Sequence, residues 1–141
     1  MEDNEQKELV QKFQIYEQQI NQMQQQLQVI EQTILDLSSL EFGIDELTGS
    51  KDKEIYANIG RGIYAKTKLI SEELLVDIGE KNLVKKSIPE TKEILKNQIE
   101  KLEKIKKEIE ENLERINEEL TEIFMNSQKE HVHDENCKHK H

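Results

Sequence analysis

Apolar residues recur along the first third of the chain at Leu9, Phe13, Tyr16, Ile20, Met23, Leu27, Ile30, Ile34 and Leu37, with spacings alternating strictly between four and three. A 3.5-residue repeat sustained over about four heptads predicts a helix committed to a left-handed coiled coil. The other positions are polar and include the Gln-rich block QQINQMQQQLQ, through which Ile20, Met23 and Leu27 carry the seam unbroken. This block therefore reads as a solvated helix face rather than a low-complexity tract. The helix is expected over 1–42, ending near SSLEFG with Gly43 just past its C-terminus, where left-handed dihedrals suit glycine. Residues 44–53 read as a loop or short turn.

A second heptad pattern starts after residue 87. Ser87-Ile88-Pro89-Glu90 has the Ser-x-x-Glu form of a capping box, and proline is tolerated in a first turn. Leu95, Leu102, Ile109, Ile116 and Ile123 follow every seven residues, with Ile99, Leu113 and Leu120 at the second seam position. Lys106 takes that position in one heptad, beside Ile105, and predicts a local weakness whose lysine stem lies along the seam with its charge outside. Pairs such as Glu100–Lys104 and Glu103–Lys107 support the outer face. Two helices, each roughly 50 Å long at 1.5 Å per residue, with a reversal between them, predict an antiparallel hairpin over 1–42 and 88–126.

Between the helices the period changes from 3.5 to 2. In EIYANI, Ile55, Ala57 and Ile59 fall on one face; in IYAKTKLI, Ile63, Ala65, Thr67 and Leu69 do. Gly60-Arg61-Gly62 is a turn signal between them. Leu74, Val76 and Ile78 alternate in a third strand, GEKN makes a turn, and LVKKSI follows, so residues 54–87 read as two β-hairpins. Isolated hairpins are marginal in water and their open edges recruit other chains. Ile55, Ala57, Ile59, Ile63, Ala65, Leu69, Leu74, Val76 and Ile78 are therefore the expected oligomerisation residues.

Composition agrees with a thin seam rather than a thick core: apolar residues make up 34%, charged residues 35%, and there is no Trp. The net charge of −10 is spread along the chain, at −5 over 1–40, −1 over 41–89 and −4 over 90–141. No region is basic, which removes the usual electrostatic source for binding nucleic acid or an anionic membrane. The single cysteine, Cys137, rules out an intrachain disulfide and fits a reducing compartment. No apolar run approaches the roughly 20 residues of a membrane span, and MEDNEQKELV lacks the apolar core of a signal peptide. The expectation is a soluble, cytoplasmic protein.

Catalysis finds no foothold. There is no nucleophile elbow and no Walker loop; the Gly-x-Gly of IGRGIYAK lacks a third glycine and leads into a strand, so the dinucleotide reading fails. No enzyme activity and no cofactor are expected. The last residues, 127–141, read as a disordered polar tail. Its His131, His133, Cys137, His139 and His141 are possible Zn, Ni or Cu ligands at a spacing unlike that of a folded zinc module.

A helix, two hairpins carrying IGRGIYAK, LLVDIG and LVKK, and a returning helix together resemble the alpha-class subunit of archaeal prefoldin over about residues 5–125. Beta-class subunits carry one hairpin, so two point to alpha. The resemblance implies a hexamer of two alpha and four beta subunits, with the hairpins joined in a β-barrel body from which coiled coils project. It also implies ATP-independent capture of unfolded proteins and their transfer to a group II chaperonin. Leu9, Val10, Phe13, Ile15, Tyr16, Leu120, Ile123, Phe124 and Met125, near the free ends of the coil, are the expected client-binding residues. Two other functions fit the same residues: a coiled-coil scaffold with one fixed partner, and a metal-binding protein that displays the His/Cys tail.

Overall fold

The computed structural model describes the backbone of residues 2–139 and the side chains of residues 4–126. Its elements run α1 (Glu2–Glu46), β1 (Glu54–Gly60), β2 (Ile63–Lys68), β3 (Leu74–Asp77), β4 (Leu83–Lys86) and α2 (Ile88–His139). The chain divides into two compact units, one formed by 1–31 with 104–141 and the other by 32–103. No helix among the described residues is long and apolar enough to cross a membrane.

In the first unit the two helices lie antiparallel. Tyr16 meets Glu119, and Glu31 meets Lys106, so partners descend along α2 as residues ascend along α1. Leu9, Phe13, Tyr16, Ile20, Met23, Leu27 and Ile30 are all half-buried, and Ile116 is buried opposite them. This is the seam read from the heptads. Lys106 sits in that seam with its side chain 35% exposed, its Nζ 3.6 Å from Glu31 Oε1 and 4.0 Å from Glu110 Oε1. The stem is sheltered and the charge is shared by two carboxylates, as a snorkelling lysine allows.

In the second unit the helices continue antiparallel, with Lys92 Nζ 2.8 Å from Asp45 Oδ1. That hydrogen bond raises the Lys92 pKa, partial burial opposes the rise, and the charges of Asp45 and Glu41 add to it. The best-buried cluster is Ile44, Ile88 and Leu95, with Leu37, Leu47 and Leu74 packed on it. It joins both helices to β3.

This cluster explains where α1 ends. The helix runs through Gly43 to Glu46, beyond the end expected at residue 42. A glycine inside a helix costs about 1 kcal/mol. Burying Ile44 and seating Leu47 on the same cluster recovers more, at about 1.5–3 kcal/mol for a fully buried side chain. The left-handed glycine is Gly49 instead, at φ 78°, with its N–H donating to the Glu72 carboxylate. At the start of α2 the capping box forms as expected: Ser87 Oγ accepts the Glu90 N–H at 3.2 Å and donates to Glu90 Oε1 at 3.1 Å. Element α2 extends past the boundary expected at 126. The side chains of residues 127–141, where a disordered tail is expected, lie outside the described residues.

The four strands form two separate two-stranded antiparallel sheets, β1–β2 and β3–β4, so no closed barrel exists within one chain. In the first, Ile55 pairs with Thr67 and Ala57 with Ala65, while Tyr56, Lys66, Asn58 and Tyr64 occupy the opposite face. A register shift between Asn58 and Gly60 makes Ile59 the extra residue of a bulge, so the strict alternation expected through Ile59 breaks there. Arg61 and Gly62 then turn the chain with φ of 50° and 79°.

The second hairpin turns at Glu80 and Lys81, both with positive φ (49° and 63°), closed by the Asn82 N–H to Gly79 O bond of 2.9 Å. Positive φ at both central residues is the habit of the primed hairpin turns, which favour Asn and Gly there. A left-handed non-glycine residue costs about 1–2 kcal/mol. Lys81→Gly is therefore expected to raise stability by about 0.5–1 kcal/mol, read as a higher midpoint in thermal unfolding followed by circular dichroism. A lower midpoint would show that the lysine side chain makes a contact worth more than its backbone strain.

Candidate functional site

Two groups of exposed apolar side chains qualify as functional surface, one in each unit. In the first unit, the Tyr16 hydroxyl donates to Glu119 Oε2 at 3.3 Å, which brings the N-terminal and C-terminal stretches of the helices side by side. The Tyr16 pKa is raised, first by its shelter from solvent and then by the Glu119 charge and the hydrogen bond to it. Leu9, Phe13, Tyr16, Leu120 and Ile123 are half-buried and close the seam at this end. Val10, Ile15, Phe124 and Met125 are more than half exposed. The expected client-binding set therefore splits into five residues that hold the coil and four that face solvent beside it.

In the second unit the exposed apolar groups lie on the hairpins. Of the residues expected to assemble, Ile55, Ala57, Ala65, Leu69 and Val76 are half-buried, and Leu74 packs onto the Ile44–Ile88–Leu95 cluster. Ile59, Ile63 and Ile78 are exposed. Tyr56, Tyr64, Leu75 and Leu83, absent from the expected set, are exposed as well. They lie on the opposite faces of the hairpins, where Tyr64 pairs with Asn58, Leu75 with Lys85, and Leu83 with Asp77. Alternation shows that a strand has two faces and leaves open which one the fold covers. The helix cluster under Leu74 decides this for β3. Each sheet also has two unpaired edges, and exposed apolar faces with free edges mark surfaces that seek another chain.

Among the described residues no three His, Cys, Asp or Glu side chains converge to hold a metal ion. The possible ligands His131, His133, Cys137, His139 and His141 lie outside the residues whose side chains are described.

Two long helices separated in sequence by two small hairpins define a class of coiled-coil subunits whose sheets are left unfinished in one chain. The family model for the prefoldin subunit matches residues 16–133, and the chain belongs to the prefoldin family, a family of chaperones. It is 29% identical over 87 residues to the prefoldin subunit alpha of Methanobrevibacter smithii, a match covering 61% of this chain and 60% of that relative's length. It also superposes on a chain of the filamentous prefoldin of Methanocaldococcus jannaschii with a TM-score of 0.70, at 15% identity, over 79% of this chain and 94% of that one. The resemblance to archaeal alpha-class subunits, read first from the two hairpins, stands on these matches together with the fold.

Proposed function

We propose that this chain is an alpha-class subunit that assembles with beta-class chains, two alpha to four beta, by joining hairpins into a β-barrel body. In this reading the coil ends hold unfolded protein without ATP and pass it to a group II chaperonin in the cytoplasm. The observation that carries it is the exposure of Val10, Ile15, Phe124 and Met125 beside a closed seam. Helix ends open at low free-energy cost, so the half-buried Leu9, Phe13 and Ile123 can join these four when a client arrives. Methionine and aromatic side chains accommodate varied partners. Single contacts of this kind are weak, and several coil ends acting on one client multiply them. Chaperonin and client, using the same ends, compete.

The test is a chain lacking residues 1–10 and 124–141, assembled with beta-class subunits and mixed with a chemically unfolded model protein. Assembly is expected to persist, since the hairpins and the Leu95 cluster are intact. Suppression of client aggregation, followed by light scattering, is expected to need about tenfold more complex. Unchanged suppression would overturn the reading.

A further inference from the structure

The heptad register of α2 outlasts its apolar seam. Past Ile123 the same alternation of four and three runs on through Ser127, Glu130, Asp134 and Cys137, and the backbone stays helical to His139. The register positions are kept while their chemistry changes, from Leu and Ile to carboxylates and a thiol. His133 stands three residues after Glu130 and four before Cys137. At about 100° per residue, Glu130, His133, Asp134 and Cys137 fall within about 100° of the helix circumference and about two turns of its length. Each of the four is three or four residues from two of the others, the spacing at which positions on a helix are neighbours.

The helix separates this set from the other histidines near it. His139 lies about 200° round from Cys137, and His131 about 160° round from His133. A stretch that reads in sequence as a scatter of His and Cys is thereby sorted into one face with four donors of three kinds. Imidazole, thiolate and carboxylate together are the ligand types of zinc, and two donors one turn apart on a helix are the half-site that helical zinc motifs use.

The register of the two helices supplies an independent reason for a cation here. Tyr16 is level with Glu119, and Glu31 with Lys106. Continued to the free end, that alignment sets Glu2 level with residues 133–135, among them Asp134 and Glu135, and Asp3 follows at once on α1. Carboxylates accumulate on both helices where the apolar seam has run out, and like charges level with one another repel. A divalent ion at this level offsets that repulsion.

We infer that Glu130, His133, Asp134 and Cys137 form a site for a divalent ion of the zinc class on one face of α2. The site adds to the reading of the coil ends as client-holding and does not depend on it.

The full chain, kept reduced, is titrated with Co²⁺ as a spectroscopic stand-in for zinc, and then with Zn²⁺ in competition. One Co²⁺ per chain is expected, with a thiolate-to-cobalt charge-transfer band that Zn²⁺ abolishes as it displaces the ion. Cys137→Ser is expected to remove the band, and His133→Ala to weaken binding by at least about tenfold. Replacing His131 and His139 together by alanine is expected to leave affinity within about threefold of the parent. Asn136→Pro keeps every donor but breaks the helix between His133 and Cys137, and is expected to cost at least about tenfold as well. Far-ultraviolet circular dichroism of each variant checks that the rest of the chain stays folded. A chain without the charge-transfer band overturns the inference. So does a proline variant that binds as well as the parent, or a loss on removing His131 and His139 as large as that from His133→Ala, since either describes an adventitious chelate of a His-rich terminus and not a site built on a helix face.

Discussion

Replacing Leu95 by alanine is expected to lower stability by about 2–4 kcal/mol, the range for truncating a well-buried leucine. Leu95 is 6% exposed and touches the cluster that includes Ile44 from α1, Ile88 from α2 and Leu74 from β3. In a chain whose other seam residues are mostly half-buried, that cluster is where apolar burial is deepest. It also decides geometry: it carries α1 past Gly43 and covers one face of the second hairpin. The loss is therefore expected to be cooperative, with the hairpins and the helix ends melting together. At the size of this chain the midpoint of thermal unfolding should fall by roughly 10 °C at fixed protein concentration. Ile105→Ala is the contrast. Ile105 is 44% exposed beside the seam, and its truncation is expected to change stability by less than about 0.5 kcal/mol. Equal effects from the two substitutions would mean that the cluster is not what joins sheet to helices.

The seam was legible because a 3.5-residue period leaves little freedom over four heptads, and each of its positions from Leu9 to Leu37 is sheltered in the structure. The strands were legible because the period drops to 2 between glycine-bearing turns. The end of α1 was not, because Gly43 is a local stop signal and the residues that override it, Ile88 and Leu95, lie more than forty positions away in sequence. The bulge at Ile59 was missed for a related reason: alternation predicts which side chains share a face only while the register holds, and it slips at Asn58–Gly60. At the coil end the division of the nine residues expected to meet clients was legible as well: Leu9, Phe13, Tyr16, Leu120 and Ile123 are heptad positions and are half-buried, whereas Val10, Ile15, Phe124 and Met125 lie off or beyond the seam and are exposed. Leu35 and Phe42 show the limit most plainly. A heptad reading follows the stripe that pairs, and a second stripe on the far side of the same helix looks like scatter until its exposure is known.

Lys106→Ile is expected to stabilise the chain, and the size of the gain separates two roles for the lysine. The position is a seam position occupied by Leu or Ile in neighbouring heptads, and the side chain is only 35% exposed. An isoleucine there adds apolar burial amounting to part of the roughly 1.5–3 kcal/mol of a fully buried side chain. Against this stands the loss of ion pairs at 3.6 Å and 4.0 Å to carboxylates more than half exposed, a geometry that contributes about 0.2–1 kcal/mol. Glu31 and Glu110, once unpaired, remain in water and carry little penalty. The net expectation is about 1 kcal/mol, or roughly 4 °C in the unfolding midpoint. A fall instead would show that the ion pairs outweigh packing at this site. The lysine's other role is register. A charged residue at one seam position selects an alignment at some expense of stability. In the observed alignment Lys106 faces Glu31; a shift of one heptad would set it against Gln24 or Ser38, neither of them acidic. Lys106→Asp, which adds a third carboxylate beside Glu31 and Glu110, is therefore expected to destabilise, and Glu31→Lys in the same chain to recover most of the loss. Recovery would place the specificity of the coil in this pair. Its absence would leave the heptads and the connecting hairpins to set the alignment alone.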